Sequence, residues 1–331
     1  MDGVPVWSAG VRAEVRPAVE AALRRLHPRT RRVCEYQLGW ADEQAAGKSI
    51  RPMLTLVCAE AVHGDPAAAM PAAVAVELLH NGTLLQDDVM DGDRTRRHRP
   101  AAWTVFGASA AILAGDALLA LAVAVAAGSA HPAAGRAATE LMGTVAELVE
   151  GQAMDLEFEV TGTVGLDECL AMTAAKTAAL VGCACRLGGL FGGADEAARA
   201  ALDRYGRHLG LAYQLRDDLL GIWGDPRRTG KATLADLRRR KKSLPVVAAL
   251  TAGGAASARL RELYARPEPF DESDVQLVAR LVEEAGGREV AERLARAELD
   301  GAAGALARLA ELGAATDRLA ALGRFVLARE S

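Results

Sequence analysis

The sequence predicts an all-α protein, one domain over residues 1–331, and three observations carry that expectation. Half the residues are apolar (51%) yet only 4% are aromatic, and alanine fills long stretches in place of β-branched runs. Such a composition favours closely packed helices over sheets. Helical periodicity with recognisable caps recurs along the chain. No alternating strand pattern, short-period repeat or linker-like shift of composition interrupts it.

Taken in order, Pro17 to Leu26 reads as a first short helix closed by His27-Pro28. Arg51-Pro52 opens the next, with proline at an early helical position, and His63-Gly64-Asp65-Pro66 closes it. Pro71 to Asp91 predicts a long helix, followed by Ala110 to Ala127 and by Ala133 to Glu159, the last set off by Pro132 and Gly162. Asp167 caps a helix to Leu187, which Gly188-Gly189 stops; Asp195 to Trp223 ends at Gly224-Asp225-Pro226. The polar segment 224–243 reads as a loop, Leu244-Pro245 starts another helix, and amphipathic helices fill the remainder. Gly188 to Gly193 lacks the GxGxxG spacing and a preceding strand, so it reads as a helix-to-helix turn rather than a nucleotide loop.

A net charge of −4 and a pI near 5.9 give no broad attraction to nucleic acid or anionic membrane. Cys34, Cys58, Cys169, Cys183 and Cys185 form no CxxC pair and no zinc-like spacing, so they read as reduced core thiols. No basic segment followed by an apolar one marks a secretory signal. The most apolar stretch, near 110–127, is interrupted by Gly115-Asp116 and falls short of the ~18–20 residues of a membrane span. The expectation is a cytoplasmic chain without a transmembrane segment.

Two acidic segments, about 130 residues apart, carry the chemistry. In Leu84-Leu85-Gln86-Asp87-Asp88-Val89-Met90-Asp91 and in Tyr213-Gln214-Leu215-Arg216-Asp217-Asp218-Leu219-Leu220, an apolar helical run ends in adjacent carboxylates. Carboxylates at the end of a buried face are costly unless a cation sits between them. Hard oxygen ligands suit Mg²⁺, which binds one or two carboxylates plus substrate phosphates. Asp87 and Asp91, spaced i,i+4, share a helix face, with Asp88 rotated off it. Cations accompany them: Lys48 and Arg51 at a loop-to-helix junction, Arg96-Arg97 after the first segment, Lys176-Thr177 inside an apolar helix, and Lys231 and Lys241 after the second. A lysine among alanines and leucines is costly to desolvate unless an anion meets it. Together these groups suit two diphosphates, one gripped through metal and one held by cations directly, beside an apolar interior that shelters a carbocation.

The ordered set Gly47-Lys48 to Arg51-Pro52, His80, Asp87-Asp88-Val89-Met90-Asp91, Arg96-Arg97, Gly115-Asp116, Gly151-Gln152 with Asp155, Lys176-Thr177, Gln214 with Asp217-Asp218, Gly230-Lys231 and Lys241 resembles the trans-isoprenyl diphosphate synthases over nearly the whole chain. The resemblance implies a homodimer whose helical bundle surrounds a deep central cavity, and head-to-tail condensation of isopentenyl diphosphate with an allylic diphosphate (dimethylallyl, geranyl or farnesyl). It implies Mg²⁺ held by Asp87, Asp91 and Asp217, with Asp88 and Asp218 in support. Arg96, Lys176, Lys231 and Lys241 would then hold the allylic diphosphate. Thr177 and Gln214 would steady the leaving group and nascent cation, and Lys48, Arg51, His80 and Arg97 would bind isopentenyl diphosphate. Two positions depart from the family pattern. Ala46 and Ser49 replace a glycine and an arginine of the first basic motif, and Gly221 replaces a third aspartate of the second acidic segment, with Asp225 near the same face. An aspartate at 221 is expected to be tolerated.

Gly82 and Thr83, one turn before Asp87, are expected to point down the cavity, with Leu79 and Val76 as the next barrier opposite Leu118, Leu119 and Ala122. In relatives within the resembled family that make the fifteen-carbon product, aromatics form the floor here; this chain has none, which favours a twenty-carbon product, geranylgeranyl diphosphate, with twenty-five carbons or more left open by the glycine at 82. A class I terpene cyclase and a non-catalytic subunit of a heterodimeric synthase are the alternatives. The retained Lys48, Arg51, His80 and Arg97 weigh against the first, and the intact first aspartate motif against the second.

Overall fold

A computed structural model describes residues 6–39, 47, 49–224 and 234–328. Lys48, Asp225 and Lys231 lie outside the described residues. Helix α1 (Val6–Leu23) is longer than expected and contains Pro17 rather than starting at it. An interior proline costs a helix ~3 kcal/mol; here Val15, Val19, Ala22 and Leu23 form one buried face that offsets it. Helix α2 (Pro28–Leu38) was concealed by Arg29, Arg31, Arg32 and Glu35, which crowd the apolar face of Val33, Cys34 and Leu38. Its proline sits at the first helical positions and Gly39 (φ 72°) ends it.

Helices α3 (Ile50–Ala61) and α4 (Met70–Met90) fall within a residue or two of their expected starts. A two-residue hairpin follows, β1 (Thr95–Arg96) against β2 (Arg99–Pro100), antiparallel with Arg96 opposite Arg99. Its turn residues Arg97 and His98 both have positive φ, 51° and 63°, a conformation that asparagine and glycine normally supply. Next come α5 (Ala102–Phe106), α6 (Ala108–Ala127) and α7 (Ala134–Val160).

The helix expected over 167–187 is three pieces: α8 (Leu166–Thr173), one π-helical turn (Ala174–Ala178) and α9 (Ala179–Phe191). Gly165, not Asp167, is its N-cap. Gly188-Gly189 does not stop it. A Cβ at Gly188 would stand 2.2 Å from the Thr55 carbonyl oxygen, so the glycine lets α9 press onto α3. Asp195 caps α10 (Glu196–Trp223) by accepting from Ala198 N at 2.8 Å. The segment read as a loop contains α11 (Ala235–Arg238), pinned because Leu234 and Leu237 bury with Ile222. Helices α12 (Leu244–Thr251), α13 (Gly254–Ala265), α14 (Glu272–Glu284), α15 (Gly287–Glu311) and α16 (Asp317–Ala328) complete the all-α fold.

One core cluster joins α1, α2, α4, α6, α7 and α9; a second joins α3, α9, α10, α15 and α16. Buried Tyr205 on α10 donates to the Leu319 carbonyl at 2.7 Å, tying α16 to the centre. All five cysteines are buried, as expected of core thiols. Contrary to the expectation for 110–127, α6 is long and apolar enough to cross a membrane by length and composition, as is 166–191. The latter is mostly buried within the protein, and α6 packs along α4.

Candidate active site

Helix α4 ends one residue before Asp91, whose N–H donates to the Asp87 carbonyl at 2.8 Å, so Asp87 and Asp91 keep their i,i+4 relation across the helix end. A helix C-terminus repels carboxylates, and burial adds to the cost. The Asp87 carboxyl is pushed up to about 6 by desolvation, opposed by the Lys176 charge and assisted by Asp91. Asp88 is buried, and its Oδ1 accepts from Arg96 Nε at 2.6 Å while its Oδ2 has no partner. Arg96 thus pairs with Asp88, as Lys176 pairs with Asp155.

The hairpin's strained turn sends neighbouring arginines to different places. Arg97 lies against Gly47 and in the field of buried Glu77. Arg51 Nη1 meets His80 Nε2 at 3.1 Å. Burial and then the charges of Arg51 and Arg97 hold His80 well below the usual histidine range, so its Nε2 accepts from the arginine as a neutral ring. Glu77 lies in the fields of Arg97 and Arg51 and accepts from Asn81 Nδ2 at 3.2 Å. Glu77 was missed in the sequence. Its signal is a lone carboxylate in an apolar run, three residues before His80 and so on the same face.

Across the site, Lys176 Nζ reaches Asp155 at 2.5 Å from within the π turn. Thr177 Oγ1 donates to Gln214 Oε1 at 3.3 Å, and Gln214 Nε2 donates to Asp218 Oδ1 at 2.8 Å. Asp218 Oδ2 accepts from Leu244 N at 3.2 Å. Burial pushes Asp218 up to about 6 against the Lys241 charge. Asp155, Lys176, Thr177, Gln214, Asp218 and Lys241 line one small polar pocket. Lys176 also lines, with Asp87, an apolar cavity of about 440 Å³. Lysine 176 thus stands between the two acidic segments. Asp217 is half-buried on α10, close enough to Lys241 to help hold its charge.

The π turn is geometrically enforced. A Cβ at Gly151 would lie 2.4 Å from Lys176 N and 2.8 Å from its Cα, so only glycine lets α7 touch that backbone; π turns of this kind recur at functional sites. Gly151→Ala should cost ~1–3 kcal/mol and displace Lys176, lowering turnover together with the denaturation midpoint. Unchanged values of both would refute the enforced contact.

Thr83 lines the apolar cavity with Leu119, Val145 and Leu148. Gly82 does not: its Cβ would meet Gly115 O at 3.1 Å and Leu118 Cβ at 3.2 Å, so it serves the α4–α6 contact. Leu79, Val76, Leu118 and Ala122 are fully buried in that contact as well. At Gly221 a Cβ would stand 2.3 Å from Asp236 Oδ2, the end of a side chain on α11.

All donors at the two segments are oxygens, the buried carboxyls resist ionisation without added positive charge, and Asp88 keeps an orphaned oxygen. These residues fit a hard divalent cation. Among the described residues no three His, Cys, Asp or Glu form a ready cage. A pH dependence follows. Asp87 and Asp218 retain protons in the native state up to about 6, against an ordinary 3.8. Between about pH 4 and 6 the native state binds more protons than the unfolded chain, so stability falls as pH rises through that window. At ~1.4 kcal/mol per tenfold change in proton affinity, the metal-free protein should denature at clearly lower urea at pH 7.5 than at pH 5. Equal midpoints would contradict the buried-carboxyl electrostatics.

The polyprenyl synthetase family pattern matches residues 36–282. The chain is 45% identical over 291 residues to a (2E,6E)-farnesyl diphosphate synthase of Mycobacterium tuberculosis, covering 85% of this chain and 81% of the relative. It is 46% identical over 302 residues to a geranylgeranyl diphosphate synthase of the same species, covering 89% and 86%. A polyprenyl synthetase structure from Streptomyces coelicolor superposes with a TM-score of 0.88 at 45% identity, over 96% of this chain and 98% of that one. With its acidic helix ends, its cationic cluster and its apolar cavity, this chain belongs to the polyprenyl synthetase family of trans-prenyltransferases.

Proposed function

We infer that the chain condenses isopentenyl diphosphate with allylic diphosphates up to farnesyl diphosphate, ending at geranylgeranyl diphosphate. The observation that carries this is the cavity's reach. Its α7 wall runs from Leu156, near Lys176, to Val145, about 16 Å at ~1.5 Å per residue. An extended isoprene unit, four bonds of about 1.5 Å along a zigzag, spans roughly 5 Å. Three units fit, so the longest primer has fifteen carbons and its product twenty.

The new bond joins C1 of the allylic chain to C4 of isopentenyl diphosphate. The allylic C1–O bond breaks, pyrophosphate leaves, and one proton is lost from C2 of the isopentenyl unit. Asp87, Asp91 and Asp217 would hold Mg²⁺, which when bound would supply charge neutralisation on the departing diphosphate. Lys176 and Lys241 hold that diphosphate directly, and Thr177 with Gln214 orients the same end. Arg51, His80 and Arg97 anchor isopentenyl diphosphate, with Glu77 fixing the two arginines. The apolar wall of Leu119, Val145, Leu148 and Leu156 keeps water from the cation. Ile112 on α6 and Val149 on α7 line the cavity and are exposed large apolar residues, which supports a homodimer covering them.

The test is the purified chain with isopentenyl diphosphate, MgCl₂ and each allylic primer, products resolved by mass spectrometry. Geranylgeranyl diphosphate should dominate with all three primers and vanish with chelator. Farnesyl diphosphate as end product would overturn the chain-length reading.

A further inference from the structure

Lys241 lines the polar pocket, yet its side chain is exposed and its ammonium makes no hydrogen bond among the described residues. It stands in the field of Asp218 first, then of Asp236, Asp155 and Asp217. The residues on either side are the ones tied down. Arg240 Nη1 donates to the carbonyls of Arg266 at 2.7 Å and Glu268 at 3.1 Å, and its Nη2 donates to the Tyr264 carbonyl. The same guanidinium lies over the Phe270 ring, 4.7 Å from its centroid. Tyr264 belongs to the last turn of α13 and Arg266 and Glu268 lie just past it, so Arg240 satisfies carbonyls that a helix end leaves without partners. Lys242 does the same for α7. Its Nζ donates to the Phe158 carbonyl at 2.6 Å and to the Thr161 carbonyl at that helix's end. Each contact sets a cation at the negative end of a helix dipole. Arg240 adopts φ 56° in making its contacts, a left-handed backbone that a residue with a side chain keeps only where its surroundings hold it. Neither Arg240 nor Lys242 lines the pocket.

We propose that Arg240 and Lys242 act as two clasps: they fasten the backbone on either side of Lys241 to the carboxyl ends of α13 and α7, and so fix where the Lys241 ammonium stands when a diphosphate enters the pocket. The proposal rests on the prenyl synthase reading above. Both are positioning residues, acting through Lys241 and touching no substrate. The Lys242 clasp has a further consequence, because Asp155 sits on α7 three residues before Phe158. Holding Phe158 and Thr161 therefore also holds Lys241 at a set distance from the wall where Asp155 meets Lys176. An unclasped lysine on a loose backbone would have to be ordered each time a ligand bound, and that ordering lowers affinity.

The experiment measures inorganic pyrophosphate binding in MgCl₂ by calorimetry, with ligand-free urea denaturation alongside. Lys242→Met, Lys242→Arg and Arg240→Lys are made in the parent chain, and Lys242→Met and Arg240→Lys again in a Lys241→Met background. In the parent, Lys242→Met and Arg240→Lys should each weaken binding about fivefold to tenfold, the order expected for one poorly aimed charge-assisted contact. Lys242→Arg keeps the charge and the donors and should stay within about twofold of the parent. In the Lys241→Met background the same two changes should cost less than about twofold, since a clasp with no ammonium to aim has nothing to lose. Arg240→Lys keeps its charge, so its effect cannot come from removing one. Equal losses in both backgrounds, midpoints falling without loss of binding, or Lys241→Met binding as tightly as the parent would overturn the clasps. If one clasp variant does not fold, the other completes its own cycle; if neither folds, the two residues are structural and the proposal fails. A parent chain that neither binds Mg²⁺-pyrophosphate nor forms product would instead overturn the prenyl synthase reading and this proposal with it. An active parent whose variants break the pattern would overturn the proposal alone.

Discussion

Asp87→Ala is expected to slow turnover at saturating substrates by about three orders of magnitude, while leaving the fold as stable as before or more so at pH 7.5. The rate loss follows from the several kcal/mol that a metal clamp supplies to a departing diphosphate, about 4 kcal/mol corresponding to roughly 10³-fold. The stability gain follows from the carboxyl's surroundings. Burial pushes Asp87 up to about 6, so ionising it near neutral pH costs free energy that the metal-free fold does not recover. Asp218→Ala should behave in the opposite sense. Asp218 accepts from Gln214 Nε2 and Leu244 N within the core, so its loss strands two donors at ~1–3 kcal/mol each and should slow turnover less. Single-turnover rates and urea midpoints measured together separate the two. Near-normal turnover in Asp87→Ala would show that the metal assignment is wrong. A marked loss of stability would show that its carboxylate is a structural partner.

That contrast between the two acidic segments tracks what could be read before the structure. The i,i+4 pair Asp87 and Asp91 needed only helical periodicity, and helix α4 delivers it to its C-terminal end as expected. Lys176 was legible too, because a lysine in an apolar helix demands an anion, and Asp155 meets it at 2.5 Å. What periodicity could not supply was the π turn under Lys176. That turn depends on Gly151 of another helix allowing backbone contact, and no local pattern encodes it. The same holds for Arg96 and Arg97. Adjacent in sequence, they are parted by a turn with two positive-φ residues, so one pairs with Asp88 and the other faces Glu77.

Product length offers the second large effect. Thr83→Phe should move the dominant product from twenty to fifteen carbons, inverting the product ratio by tenfold or more. Thr83 lies one turn before Asp87 and lines the apolar cavity opposite Leu119 and Val145. A phenyl ring there projects into open volume rather than packed core, so it should block the third isoprene unit without the ~1–3 kcal/mol cost of overfilling. The Thr83 hydroxyl, which donates to the His80 carbonyl at 2.9 Å, makes a local bond on the helix surface that His80 can lose without moving its ring. The Michaelis constant for isopentenyl diphosphate should therefore hold while the chain shortens. Gly82→Phe is the informative companion, although the two residues are neighbours. Its side chain would collide with Gly115 O and Leu118 Cβ, each within 3.2 Å of the first added carbon, and so would wedge α4 from α6. That variant should lose several kcal/mol of stability, since a ring has no space in a close-packed helix contact, and it should show no ordered shift of product length. Mass spectrometry of the products beside urea denaturation reads both outcomes. An unchanged distribution in Thr83→Phe would mean that the chain grows along another wall. A clean shortening in a stable Gly82→Phe would place that residue, and not Thr83, on the path of the growing chain.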